Sequence, residues 1–394
     1  MDKDEKNLNT SKNQDLTPIK VLHLISTLDV GGAEQNLLRL ISTMDTSTFQ
    51  NHVVCMTKPG IVGQKLEKTS IPVSSLNMKK GVPDIRAVLR LRFLARLLSP
   101  DIIQCWMYHA NLLGLTIPDR ARILWNIRCS DLDLSLYGTV YRFAVMAGAR
   151  LSSIPYAVAA NSIAGRDVHE RLGYHPQKWV IIPNGFDTEI FKPDPNARFR
   201  IRSELGIPDD ALVIGLIGRF DPMKDHSSFF AASLSFLKSY PHTHFILAGR
   251  GVTNENPQIR DQVGQRANLE KFHLLDERDD IPQILSAIDI ASSSSISEGF
   301  PNAIGEAMAC GVPCVATDAG DSGLLMGDTG LVVNRKSPQE LCKAWDMIAR
   351  MTPEARLEMG SRARERIQQH YSQDKTTRSY EDLYWQIINN KNKQ

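Results

Sequence analysis

Ile288-Asp289-Ile290-Ala291, the serines Ser292 to Ser295, then Ser297-Glu298-Gly299-Phe300-Pro301-Asn302-Ala303-Ile304-Gly305-Glu306-Ala307-Met308-Ala309-Cys310-Gly311-Val312-Pro313 is the stretch that decides the fold. Its apolar opening predicts a buried strand. Pro301 suits the first turn of a helix, where its missing N–H costs nothing. Gly311 closes that helix, with Pro313 just beyond. A strand feeding a helix through a glycine-containing turn is the unit of a doubly wound parallel sheet. It sets the helix N-terminus, with its unpaired N–H groups and positive dipole end, at the carboxyl edge of the sheet.

That edge is an anion site. Glu298 in the turn and Glu306 on the helix bracket it, and each carboxylate accepts hydrogen bonds from hydroxyls. Phosphate at the dipole with hydroxyls at the carboxylates describes a nucleotide sugar, although an isolated pair also fits a helix cap and a solvated face residue. The whole segment resembles the signature of retaining glycosyltransferases of the family 4 type. Two glutamates with seven residues between them surround Gly299-Phe300-Pro301, and Glu306-Ala307-Met308-Ala309 leads to Gly311 and Pro313. The resemblance implies that Glu298, Gly299, Phe300, Pro301, Asn302 and Glu306 bind the nucleotide sugar, with Glu298 on the sugar and Glu306 on the ribose hydroxyls.

A chain of 394 residues exceeds one ordinary core and suits two domains of roughly 170 to 190 residues each. The 46 basic and 44 acidic residues nearly balance, so no global field argues for nucleic acid. Six scattered cysteines, at 55, 105, 129, 310, 314 and 342, have no neighbours that complete a zinc set and read as reduced core thiols of a cytosolic protein. No apolar run reaches the roughly 18 to 20 residues of a membrane helix. The polar start, residues 1–18, reads as a disordered leader and not a signal peptide.

In chain order, a strand over Lys20 to Ser26 leads into Asp29-Val30-Gly31-Gly32-Ala33-Glu34 and a helix. Gly31 and Gly32 let backbone approach a ligand closely, and in the resembling family this loop faces the diphosphate and acceptor. Further strands are expected at His52 to Met56, Val73 to Leu76, Asp101 to Gln104, Ile123 to Ile127, Ala157 to Ala160 and Trp179 to Ile182. Alternation with helical patterns implies a parallel sheet covered on both faces.

The helix candidate from Pro83 to Leu98 carries Arg86, Arg90, Arg92 and Arg96, just after Lys79 and Lys80. At about 100° per residue these arginines form two separate pairs and not one stripe, so the pattern alone is not that of a membrane-surface helix. Contact with the cytoplasmic membrane face is an expectation from the resemblance, because relatives use lipid-linked acceptors. His109, after the strand ending near Gln104, suits a site histidine, and by resemblance it faces the sugar. Arg128 is a second candidate at the cleft. Asp131-Leu132-Asp133 spells a metal-binding Asp-x-Asp, but short acidic triplets arise often by chance and cap helices, so no metal is assigned.

The first domain, 19–186, ends at Ile181-Ile182-Pro183-Asn184-Gly185-Phe186-Asp187, a strand, turn and proline sequence that reads as a boundary. The second, 187–372, opens with a strand over Leu212 to Gly218. Arg219 ends it and Lys224 begins a helix, two cations suited to a diphosphate. Strands over His244 to Ala248 and Lys271 to Leu275 end in loops, one holding Arg250, that by resemblance border the base. Residues 373–394 form a helix that crosses back to the first domain.

Over 19–390 the resemblance implies the GT-B fold: α/β, with two Rossmann-like doubly wound parallel-sheet domains facing a central cleft. The implied activity is hexosyltransferase-type: retaining, metal-independent transfer from a nucleoside diphosphate sugar to a glycan or polyprenyl-linked acceptor, without a further cofactor. Glu298, Lys224, Arg219 and His109 are the expected catalytic set. Closure about Asn184 is expected to exclude water. Asp318-Ala319-Gly320-Asp321-Ser322-Gly323 and Gly327-Asp328-Thr329-Gly330 resemble a bacterial subgroup that assembles surface polysaccharide. Rival readings are a nucleotide-sugar epimerase of the same fold, a glycosidase using the two glutamates, and a non-catalytic nucleotide-sugar-binding protein.

Overall fold

A computed structural model describes residues 17–29, 31–79, 82, 84–118, 122–130, 134, 137–263 and 269–391. Most of the expected leader, and Lys80 and Asp131 to Asp133, lie outside these residues.

The strands of the first half are β1 (Ile19–Ile25), β2 (Phe49–Cys55), β3 (Val73–Ser75), β4 (Ile102–Trp106), β5 (Arg122–Ile127), β6 (Ala157–Ala160) and β7 (Trp179–Ile181). They pair in parallel in the order β3-β2-β1-β4-β5-β6-β7. In the second half β8 (Val213–Ile217), β9 (His244–Ala248), β10 (Phe272–Leu274), β11 (Ile290–Ser293), β12 (Cys314–Thr317) and β13 (Leu331–Val333) form a parallel sheet in the order β10-β9-β8-β11-β12-β13. Every residue of β4, β6, β9 and β12 is buried, as parallel strands covered by helices on both faces require. Each sheet carries a core on either face.

Strand order reverses between β1 and β4 and again between β8 and β11. In such sheets ligands bind outside the carboxyl ends at the reversal, where the flanking helices diverge and leave a crevice. The segments that follow these four strands hold Gly31, Lys224 and Glu298 in loops or turns and His109 in the first turn of the Tyr108–Gly114 helix. Topology therefore assembles the expected site residues at two facing reversals.

The structure differs from the sequence reading in places. β12 and β13, of four and three residues, are not among the strands expected from the sequence. The proline-rich boundary contains a helix, Pro195–Glu204, started by Asp194, whose carboxylate accepts from the amides of Asn196 and Ala197, with Pro195 in its first turn. Lys224 sits on a 3₁₀ turn, Pro222–Lys224, ahead of the His226–Leu237 helix and not at its start. The deciding helix runs Asn302–Ala309, with Pro301 as its cap residue.

The long helix Gln373–Lys391 returns to the first sheet, where Tyr380, Leu383, Tyr384 and Ile387 join the core containing Phe49 and Trp106. The six cysteines are free thiols, four buried and two half-buried. Among the described residues no helix is long and apolar enough to cross a membrane.

Asp289 interrupts the apolar run that was read as one strand, and the strand proper begins at Ile290. The Asp289 carboxylate accepts from Arg202 at 2.8 Å, Arg198 at 2.7 Å and the amide of Val213 at 2.8 Å. Arg202 is 1% exposed and also donates to the carbonyls of Ala211 and Ala287. Breaking a buried pair from one side leaves a charge uncompensated. We expect Arg202→Ala to lower unfolding stability by about 3 to 5 kcal/mol, read by urea denaturation; an unchanged midpoint would show that Arg198 alone satisfies Asp289.

Candidate functional site

Two loops build the centre of the site, one after β8 and one after β11. The Lys224 ammonium lies 2.5 Å from the Glu298 carboxylate, and Ser295 Oγ donates to the same carboxylate oxygen at 2.7 Å. Both charged side chains are largely buried, at 23% and 13% exposure. Lys224, Ser293, Ser295, Glu298, Pro301 and the first turn of the Asn302–Ala309 helix line one pocket. That first turn supplies backbone N–H groups without intrahelical acceptors, so the pocket offers a cation, a carboxylate and a dipole end together.

The serine run holds the two loops in register. Ser294 Oγ donates to the Lys224 carbonyl at 2.8 Å, and Ser292 Oγ accepts the indole N–H of Trp345 at 3.1 Å. Ile296 N–H donates to the Met223 carbonyl at 2.8 Å, and Thr317 Oγ1 to the Ser295 carbonyl at 2.6 Å. Gly320 closes the arrangement from below. Its φ is +59°, and a Cβ there would lie 2.0 Å from the Glu298 carbonyl oxygen.

The opposite half reaches the same motif. Ser130 Oγ donates to the Glu298 carbonyl. Asn302 Oδ1 accepts from Asn184 at 2.7 Å, and Asn184 in turn accepts from Arg128. Arg128 also donates to the Tyr380 hydroxyl at 3.1 Å and lies over the Trp106 ring, 5.4 Å from its centroid. Arg39 pairs with Glu306 at 3.4 Å. Burial pushes the Glu306 carboxyl above its ordinary range, and Arg39 pulls it back down. The Asp321 carboxylate accepts from the amides of Ile163 and Ala164 at 2.8 and 2.9 Å, so a residue of the second half caps the start of the Ile163–Arg171 helix of the first.

The expected residues thus separate into groups. Lys224, Glu298 and Pro301 meet in the pocket. Gly299 approaches Ser130, and Asn302 is engaged by Asn184. Arg219 is exposed and paired with Asp221 at 2.8 Å, and Arg250 is exposed on the loop after β9, its carbonyl accepting from the Phe220 amide; both stand at the same carboxyl edge without lining the pocket. His109 lies on the Tyr108–Gly114 helix of the first half, 6.0 Å from the Tyr141 ring, and burial lowers its pKa. Gly31 precedes the Gly32–Thr43 helix in extended backbone, and Glu34 folds back to the space a Cβ would need. Gly32 is open.

Phe300, expected in the binding set, turns its side chain away from the pocket: the ring is 5% exposed and packs between Phe186 and Tyr371 in the core, which leaves its backbone N–H as the group that could meet a ligand. Its ring is apolar and the segment that joins the halves brings two aromatic partners to it. Gly305 serves the same joint, because a Cβ there would fall 2.0 Å from the Phe186 ring.

Ser130, Arg39 and Asp321 escaped the sequence reading. Ser130 follows Arg128 by two residues at a strand end, a position that could have signalled it. Asp321 stood inside a stretch read only as a subgroup likeness. Nothing in the pattern around Arg39 marks it.

A family model described as Glycosyltransferase Family 4 matches residues 30–190, and one described as Glycosyl transferases group 1 matches residues 211–350. The chain belongs to the group 1 glycosyltransferases of the family 4 type. EpsF of Bacillus subtilis, a protein assigned to the glycosyltransferases, is 24% identical to this glycosyltransferase over 360 residues, 84% of this chain and 87% of EpsF. The Escherichia coli enzyme named UDP-Gal:alpha-D-GlcNAc-diphosphoundecaprenol alpha-1,3-galactosyltransferase is 29% identical over 228 residues, 56% of this chain and 58% of that one. Among solved structures, HepE of Anabaena in complex with UDP superposes with a TM-score of 0.78 at 24% identity, covering 93% of this chain and 99% of HepE. WaaG, a glycosyltransferase involved in lipopolysaccharide biosynthesis, gives 0.70 at 15% identity, covering 93% and 99%. The fold of this glycosyltransferase is GT-B.

Gly320 makes the Glu298 loop testable without touching a charged group. Both its positive φ and its close approach to Glu298 resist a side chain. We expect Gly320→Ala to retain the fold while sugar transfer falls at least about tenfold, the effect of an ångström-scale displacement of a positioned group; wild-type turnover in a sugar-transfer assay would show that the loop need not be held there.

Proposed function

We propose that this glycosyltransferase is a retaining, metal-independent enzyme that moves a sugar from a nucleoside diphosphate to a glycan or lipid-linked acceptor at the inner face of the cell membrane. The pathway we infer is assembly of bacterial exopolysaccharide, O-antigen or capsule. One observation carries the reading: Lys224, Glu298 and the open first turn of the Asn302–Ala309 helix meet in one pocket at the reversal of strand order.

In this reading the diphosphate lies against Lys224 and the helix N-terminus, with Arg219 turning in from the edge. Charge that develops on the leaving oxygen is met by groups already in place. Glu298 accepts from donor-sugar hydroxyls and holds Lys224 in position. Glu306 serves the ribose through whatever of its carboxylate Arg39 leaves free. His109, on the first-half wall, faces the sugar, and Gly31 and Gly32 leave room for diphosphate and acceptor. On the retaining course the bond from the anomeric carbon to the diphosphate breaks and the acceptor oxygen bonds on the same face, its proton passing to the leaving phosphate. UDP sugars are the first donors to test, since UDP stands in the names of both HepE's complex and the galactosyltransferase. The latter's diphosphoundecaprenol acceptor supports the lipid-linked alternative.

A hydrogen bond to a charged group contributes roughly 1.5 to 3 kcal/mol, so Lys224→Ala should slow transfer about tenfold to a hundredfold. The donor site is tested by thermal unfolding against UDP, GDP, ADP and their sugars. A ligand at 100 times its dissociation constant adds about 2.7 kcal/mol of stability. We expect one nucleotide series to raise the melting temperature and Lys224→Ala to abolish the rise. No rise with any of them overturns the donor-site reading.

A further inference from the structure

The helix Ile85–Leu98 of the first half buries Ala87, Leu91 and Ala95 against the sheet. Its outer face is not polar. Ile85, Leu89, Phe93 and Leu97 are 75%, 62%, 66% and 70% exposed, spaced four residues apart, so that at about 100° per residue they cover an arc of about 120°. A solvated helix face would carry charges there.

The arginines explain the arc. On the same wheel Arg92 and Arg96 fall along one edge of the apolar stripe and Arg86 and Arg90 along the other. The two pairs that spoil a single basic stripe in the sequence are the two margins of an apolar one. Long cationic side chains on both margins of a buried stripe can extend their charged ends to headgroups while the stem stays in the apolar layer.

A second helix, Thr139–Leu151, presents the same kind of face. Val140, Phe143 and Met146 are 45%, 71% and 51% exposed, with Arg142 and Arg150 beside them. Its buried residues Ala144, Val145 and Ala149 share one core with Ala87, Leu91 and Ala95, which places both helices on the same face of the sheet. The short Tyr108–Gly114 helix lies between them: Arg92 donates to the Thr116 carbonyl at 2.7 Å just beyond it. Together the two helices carry six arginines and no acidic residue, in a chain with 44 acidic side chains.

We propose that this two-helix face seats the enzyme on an anionic lipid bilayer, with Ile85, Leu89, Phe93, Leu97, Phe143 and Met146 entering the acyl boundary and the arginines meeting lipid phosphates. Two exposed apolar stripes on the same face of a sheet mark a site of association, and the excess of positive charge, five arginines besides Arg90, which pairs with the helix-cap Asp84 at 2.5 Å, favours an anionic partner over a neutral one. A second copy of the chain would bring arginine against arginine across the face. The Ile85–Leu98 helix starts at the carboxyl edge of its sheet, so docking this face brings the cleft's rim to the membrane surface. The inference deepens the lipid side of the proposed function and is independent of the donor site: the nucleotide melts fail or succeed separately from vesicle binding.

The test is flotation of the full chain with phosphatidylcholine vesicles, with and without phosphatidylglycerol. We expect flotation with the anionic vesicles, weakened by salt. Leu89→Ser combined with Phe93→Ser should lower the partition constant by about tenfold or more, because each loses a buried apolar side chain. Arg86→Gln with Arg96→Gln should lower it on anionic vesicles only. These positions are exposed, so unchanged melting temperatures and unchanged nucleotide shifts confirm that the variants fold. Absence of flotation, or equal flotation by the Leu89→Ser, Phe93→Ser protein, overturns the proposal. So does a dimer in light scattering that this variant dissociates, since the face would then lie between copies.

Discussion

A lysine ammonium and a glutamate carboxylate 2.5 Å apart, beside the open end of a helix, are what the surrounding structure holds in place. The pair neutralises itself, which lets two charged groups stand largely out of water without the desolvation cost that either would bear alone. It also fixes both side chains where the sheet's topology leaves a crevice. Groups held in this way are already oriented, so an incoming ligand would need to order little.

Holding that pair requires the two halves to meet on backbone and on buried polar groups. Ser130 reaches the Glu298 carbonyl, Asn184 spans from Arg128 to Asn302, Arg39 meets Glu306, and Asp321 caps a helix in the opposite half. Each contact joins a residue of the signature segment, or of its following loop, to the first half or to the joint between the halves. The signature segment is therefore a docking surface between the halves. Phe300 and Gly305 show this most plainly, since one packs against Phe186 and the other makes room for it.

The Ile85–Leu98 helix teaches a related lesson about surfaces. Its sequence shows arginines and apolar residues intermixed, and a wheel drawn from the charges alone gives two unrelated pairs. Burial decides which of several apolar positions faces the sheet. Once Ala87, Leu91 and Ala95 are known to face inward, the larger Ile85, Leu89, Phe93 and Leu97 are left outside, and the arginines become their margins.

The sequence by itself determined the alternation of strand and helix, the parallel sheets, the placement of Lys224 and Glu298 at the carboxyl ends of strands, and the family, because these follow from local periodicity and from motifs contained in short continuous segments. β12 and β13 are missing from the strands expected from it, and it did not show the core position of the Phe300 ring. Tertiary structure alone decided that Arg39, Ser130 and Asp321 reach the signature, that Arg219 and Arg250 stand at its edge, and which side of the Ile85–Leu98 helix meets solvent. The physical reason is that the packing of two sheets and their covering helices sets which groups meet and which face is left to solvent, and partners as far apart in the chain as Arg39 and Glu306 leave no mark of that meeting in the pattern around either one.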